Sequence, residues 1–314
     1  MELAILSANQ VFIMFLLISI GFICFKIKII DEVGTVQMTD VLLKIVFPSV
    51  ILTAFTVTPT EEKLKMFLIA LALTFISHIL GIIVSYMFIR KKHDGLDTEI
   101  ERFSVIYTNN GFMGIPLIGT LLGEEGVFYA TAFVCIGNLF TWTHGVGIMS
   151  NKSGGKSDIS LLRIITSPAI VAFIIGMILF IFRVSLPQDI TKLITFTSNM
   201  NTPLAMFIVG AVLAQTNIIT AFKDLKVYKI VLLTNLLVPM IAVCIYAFLP
   251  IDNNLILNNI ISTACPVSCL TVIFAKKYKR DFEYASKLFT VSNILTIITL
   301  PIVIFFSNII LAMV

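Results

Sequence analysis

The chain reads as an all-α polytopic membrane protein. The expected architecture is ten transmembrane helices forming two inverted five-helix repeats, with broken crossover helices four and nine. Three observations predict it. Of the 314 residues 58% are hydrophobic and 13% charged, with a mean hydropathy of +1.02, whereas soluble domains are about 25% charged. Apolar runs near the length of one span, about 20 residues, recur along the whole chain. The basic residues between those runs collect on alternate loops.

In chain order the runs fall at 8–27, 38–57, 64–90, 103–122, 126–149, 161–183, 190–216, 226–250, 256–275 and 284–312. The first begins at the N-terminus, MELAILSANQVFIMF. It lacks a basic leading region and a small-residue cleavage site, so a retained helix is expected. The most polar stretch, SNKSGGKSD at 150–158, has the composition of a flexible linker. It divides the chain into a first repeat at 1–149, a cytoplasmic linker at 150–160 and a second repeat at 161–314. The odd-numbered loops hold 18 basic residues and the even-numbered side holds 4. Basic residues stay cytoplasmic. The expectation is a multi-pass protein of the cell membrane with both termini outside and the linker inside. The net charge of +4 then reports topology and gives no sign of nucleic-acid binding.

Five spans per half insert the second half upside down, the plan of an inverted-repeat transporter. Prolines mark equivalent places. Pro48 and Pro203 lie in spans two and seven, and Pro116 and Pro266 in spans four and nine. The segment NNGFMGIPLIG at 109–119 puts two amides, three glycines and a proline into an apolar run. Proline removes a backbone donor and clashes with the preceding turn. Span four is therefore expected to break near Gly114 to Pro116, and span nine near Pro266, where Ser262, Thr263 and Ser268 add polarity. Non-helical backbone at mid-membrane survives only beside protein or a watery cavity. Each break exposes a helix N-terminus with unpaired amides and positive potential, which suits an anion.

The eighteen acidic residues fall in loops or at span ends, so no carboxylate cation site is visible and a bound anion would meet no like charge. His78 and His144 lie within apolar runs. Ionisable groups there are candidates for function, and the alternative for each is a neutral ring bonded to a carbonyl. Both are candidate proton-coupling residues, with Asn138, Thr141 and Thr143 close to His144 in sequence. Of the five cysteines, Cys265 and Cys269 are four apart, but no histidine is near in sequence. Two thiols do not make a metal site, and no cofactor is called for. The chain also lacks an H-E-x-x-H metalloprotease motif and paired intramembrane aspartates.

At these residues the chain resembles the auxin efflux carrier family, whose plant members are the PIN carriers. The family pattern of an asparagine followed by M-G-I-P-L is met by Asn109 and the run to Leu117. The pattern A-x-P then F-A-K-x-Y is met by ACPVSCLTVIFAKKY at 264–278. Asn138 and Trp142 in span five, MFIVGAVLA at 206–214 and Pro301 also match. The resemblance implies a scaffold of spans one, two, six and seven, often a homodimer contact, and a moving transport domain made of the remaining spans. It also implies transport of an organic carboxylate: the plant hormone, or a dicarboxylate such as malate or malonate in bacterial relatives. Three departures point away from auxin itself. Asn138 replaces a glutamine, Thr108 replaces a proline, and the long central loop is missing.

The expected function is elevator-type carriage of a small organic carboxylate across the lipid bilayer, with the site at the crossover. The substrate-binding residues expected are Asn109, Asn110, Gly114, Ile115, Pro116, Asn138, Cys265, Pro266, Val267 and Ser268. A sodium-coupled organic anion symporter of the bile-acid carrier type and an anion channel stand as the alternatives.

Overall fold

A backbone in hydrocarbon must satisfy its own hydrogen bonds, and a helix does so within one segment. The computed structural model describes residues 2–90, 98–150 and 165–313, and all regular structure among them is helical. The linker expected at 150–160 lies outside the described residues apart from Ser150. The helices are α1 (Glu2–Lys26), α2 (Glu32–Val41), α3 (Phe47–Ala54), α4 (Glu61–Phe88), α5 (Thr98–Ile106), α6 (Ile115–Phe140) and α7 (Val146–Ser150). They continue with α8 (Pro168–Ile181), α9 (Gln188–Asn199), α10 (Asn201–Ala214), α11 (Ile218–Lys223), α12 (Leu225–Leu232), α13 (Val238–Tyr246), α14 (Asn253–Thr263), α15 (Cys269–Lys277) and α16 (Phe282–Met313).

Seven helical stretches are long and apolar enough to cross a membrane. Six of them, Ile5–Lys26, Glu32–Ala54, Glu61–Phe88, Gln188–Ala214, Leu225–Tyr246 and Phe282–Met313, each coincide with one expected run. The seventh, Asn110–Ser150, holds the run at 126–149 and the part of the run at 103–122 from Asn110 onward, in 41 residues, about 60 Å at 1.5 Å per residue and twice a hydrocarbon core. It is interrupted at Gly123, whose φ of 68° and ψ of −165° are not helical and favour glycine. The run expected at 161–183 is represented by the shorter α8, and the run at 256–275 is split into α14 and α15.

Loop acids start the helices. Asp31, Asp224 and Asp252 accept backbone N–H bonds at the N-caps of α2, α12 and α14, where anionic acceptors stabilise a helix.

Wide π-turns accommodate three of the prolines. Leu42–Val46, Asn110–Gly114 and Leu233–Leu237 are each one π-turn long. In each the residue before proline makes an i→i−5 bond: Phe47 to Leu42, Ile115 to Asn110 and Val238 to Leu233. Pro48, Pro116 and Pro239 follow directly, inside the first turn of the next α-helix, where a missing N–H costs little.

A phenylalanine cluster fills one core. Phe128 stacks with Phe180 at 4.9 Å between centroids, lies tilted against Phe67 at 4.9 Å and meets Phe55 edge-on at 5.3 Å. Elsewhere α1 and α10 touch backbone to backbone. A Cβ on Gly21 would land on the Phe207 carbonyl, and one on Gly210 would land on the Ile18 carbonyl and 2.6 Å from the Phe22 nitrogen.

Two elements position the site. Helices α5 and α15 lie side by side and antiparallel. Arg280 Nη1 pairs with Glu99 at 3.3 Å, Phe103 faces Phe274 at 5.5 Å, and Ser268 N donates to the Tyr107 carbonyl at 3.2 Å. Arg280 also donates to the carbonyls of Met149 (2.6 Å) and Ile148 (2.8 Å) at the end of α7. One buried guanidinium thus ties three chain turns together.

Candidate functional site

The helical ladder stops in both predicted regions. In span nine the chain leaves the helix after Thr263 and resumes at Cys269, around Pro266 as expected. In span four the break is displaced. The chain is non-helical at Tyr107–Asn109, and helix has resumed by Asn110. The expectation of a break at Gly114 to Pro116 is corrected, because the π-turn before Pro116 removes its conflict with the ladder.

The two non-helical segments pair. Thr108 and Val267 form an antiparallel bridge. Asn109 N donates to the Pro266 carbonyl at 2.7 Å, Ser268 N to the Tyr107 carbonyl at 3.2 Å, and Thr108 Oγ1 to the Ser262 carbonyl at 2.9 Å. Backbone groups freed by both breaks thereby satisfy one another, as buried backbone requires. Behind them Ser292 Oγ accepts from Val267 N at 2.9 Å and donates to Asn235 Oδ1 at 2.8 Å. Asn235 Nδ2 reaches Thr296 Oγ1 at 2.9 Å, so a buried polar network on α16 and the Leu233–Leu237 turn supports the span-nine break.

Beside this crossing lies a cavity of about 110 Å³. Both restarting helices contribute to its wall, through Asn110, Gly111 and Phe112 on one side and Ser268, Cys269 and Leu270 on the other. Asn109 and Asn110 are 4% and 3% exposed, and Nδ2 of each has no hydrogen-bond partner. Asn110 Oδ1 is likewise unpartnered. Buried amides without partners are uncommon and call for an explanation. Among the described residues the cavity wall includes no aspartate, glutamate, lysine or arginine. Neutral donors and helix N-termini set its polarity.

The predicted residues divide into three groups. Asn109, Asn110, Asn138, Ser268 and His78 line the cavity. Asn138 Nδ2 donates one bond back to the Val134 carbonyl at 2.9 Å. His78 Nδ1 donates to the Thr74 carbonyl at 2.9 Å, and its ring stacks on Phe140 at 5.1 Å. Gly114, Cys265, Pro266 and Val267 lie outside the cavity wall and shape it. A Cβ on Gly114 would land on Asn110 Oδ1 and 3.0 Å from Cys265 Sγ, so this glycine makes room for the Asn110 amide. Cys265 Sγ itself points to the Ile261 carbonyl. Ile115, Pro116 and His144 also lie off the cavity. The first two line a separate cleft, and His144 Nδ1 lies 2.9 Å from the Tyr107 hydroxyl.

Tyr107 went unnoticed in the sequence. Its carbonyl holds Ser268, its hydroxyl donates to the Phe140 carbonyl at 3.0 Å, and its ring lies between those of His78 (6.4 Å) and His144 (6.3 Å). Phe47 and Phe133, also on the wall, were equally silent, because an aromatic residue in a membrane span carries no local mark of what it faces.

Comparison with known proteins shows the family. The family model described as membrane transport protein, that of the auxin efflux carrier or PIN-like proteins, matches residues 6–304. An uncharacterized transporter of Methanothermobacter thermautotrophicus is 23% identical over 300 residues, covering 94% of this chain and 97% of that protein. With an all-helical fold, seven membrane-crossing stretches and a family match across nearly its whole length, the chain belongs to this membrane transport protein family.

Proposed function

We propose that the protein is a secondary carrier for a small organic carboxylate, which binds in the crossover cavity. The observation that carries this reading is the pair of unpartnered Nδ2 donors on Asn109 and Asn110, on a wall shared by two helix N-termini and free of acidic side chains. Such a set attracts an anion without trapping it. At about 30 Å³ per water-sized group, 110 Å³ holds about four such groups, which favours a compact acid over a fused aromatic ring. Even a dicarboxylate of the malonate or malate type is larger than that volume, so the cavity widens to admit it.

The Gly123 break supports counting Asn110–Ser150 as two passes, and pairing α14 with α15 as one. Together with α8 this gives ten spans in two inverted halves. Transport proceeds by movement of the crossover domain against the scaffold of spans one, two, six and seven. With the linker inside, a cell-negative potential favours export by about 2.3 kcal/mol per charge per 100 mV. Uptake requires a coupling ion, for which His78 and His144 are the proton candidates.

The test is carboxylate flux into inside-out vesicles bearing Asn109→Ala. A fall in flux with unchanged protein stability is expected. Wild-type flux would reject the site.

A further inference from the structure

A second cleft, of about 520 Å³, lies on the other side of the same helices. Helix α3 and the turn before it run past both spaces. Leu43 and Phe47 wall the crossover cavity, and Val50 and Thr53 wall the cleft. Facing them, Gly111 and Phe112 belong to the cavity, and Ile115 and Pro116 to the cleft. Along both elements the lining passes from one space to the other within one turn, from Phe47 to Val50 and from Phe112 to Ile115. Phe47 meets Phe112 edge-on at 6.4 Å, and its ring lies against Gly111, where a Cβ would come 2.7 Å from Phe47 Cζ. Among the described residues no hydrogen bond joins Leu42–Ala54 to Asn109–Gly126, so the contact can part without stranding a buried polar group.

The far wall of the cleft is polar. Thr191, Thr195 and Ser198 recur on one face of α9, followed by Asn201, which is 3% exposed and has an unpartnered Oδ1. The three hydroxyls donate to carbonyls of their own helix, which leaves oxygen lone pairs to accept from water. A row of hydroxyls within a membrane-crossing stretch suits a wet path. Thr56 and Glu124 put the mouth of the cleft at the chain turns poor in basic residues, the outer face by charge distribution.

We propose that this cleft is the outer half of the translocation path and that Phe47 is the plug that closes it against the crossover cavity. The assignment rests on the carrier reading above, and it is tested without any carboxylate. Cys269 lines the cavity and serves as a native reporter in a chain whose Cys24, Cys135, Cys244 and Cys265 are replaced by alanine. Right-side-out vesicles are exposed to a membrane-impermeant, cationic thiol reagent.

With Phe47 present, Cys269 is expected to stay protected from outside, and Phe47→Leu, which keeps an apolar plug, to stay protected too. Phe47→Ala is expected to raise the labelling rate about tenfold or more, since losing a packed ring exceeds the ~1.4 kcal/mol equivalent to one factor of ten. Phe112→Ala, which removes the ring Phe47 leans on, should do the same and guards against misfolding of either variant. Retained protection in both alanine variants, each showing a wild-type melting profile, overturns the proposal. Equal labelling of the Phe47 chain and its alanine variant overturns it as well. Neither result bears on the Asn109→Ala flux test, so the plug and the binding site can fail separately.

Discussion

Substituting Gly114 by alanine separates the binding site from the fold. The added Cβ would fall on Asn110 Oδ1 and 3.0 Å from both Asn110 Cγ and Cys265 Sγ. The nearest obstacles are side-chain atoms, and neither polar end of Asn110 has a hydrogen bond to hold it in place. The asparagine therefore swings away and the backbone stays. Overpacking of this kind costs about 1–3 kcal/mol of stability, and the low end is expected because the displaced amide loses no partner. The effect on binding is larger. A donor that would meet a carboxylate is withdrawn, and a hydrogen bond to a charged group is worth about 1.5–3 kcal/mol, or about 10- to 150-fold in affinity.

The assay is calorimetric titration of the purified protein with malonate and malate, followed by the Gly114→Ala, Asn110→Ala and double variants. Because both substitutions remove the same contact, their effects should be strongly non-additive. Unchanged affinity in Gly114→Ala, or additive losses in the double variant, would refute the claim that Asn110 reaches the ligand.

Arg280→Ala removes a guanidinium whose side chain is 1% exposed and should lower stability by roughly 3 kcal/mol, read as denaturant midpoint in detergent, with only partial recovery in Arg280→Lys. Ser292→Ala strands the Val267 N–H and Asn235 Oδ1. It should cost about 2 kcal/mol and speed hydrogen exchange at the Val267 amide; slow exchange there would count against the supporting role of the network. Arg183 sits at φ 54° just past α8, a left-handed position that costs a non-glycine residue about 1 kcal/mol. Arg183→Gly should therefore raise the melting temperature slightly, and a fall would show that its side chain matters more than its backbone.

Much of the site was legible in span nine, where Pro266 among small polar residues marks the place at which helix gives way. Span four was harder. Gly111, Gly114 and Pro116 announced a disturbance, yet the non-helical backbone lies earlier, at Tyr107–Asn109. The π-turn that moves it inserts one residue into the ladder, and a one-residue insertion leaves no trace in composition or apolar periodicity. The same device hides at Pro48 and Pro239. Asn109 and Asn110 stood out because amides are conspicuous in an apolar run. Tyr107 and Phe47 did not, because their importance comes from partners far along the chain. Six of the seven crossing stretches were legible as single runs, but the seventh, Asn110–Ser150, is interrupted only at a single glycine, Gly123.

The close seam between α1 and α10 has a consequence for biosynthesis. Helix α1 meets a close backbone partner about 190 residues downstream, from Gly21 to Gly210, so at 5–20 residues per second it waits about 10–40 s for it after leaving the ribosome. During that interval its glycine notch faces lipid or an insertase, in a groove that any other small-residue helix could occupy. Orderly assembly of this protein therefore depends on keeping α1 unengaged until α10 has been threaded into the bilayer.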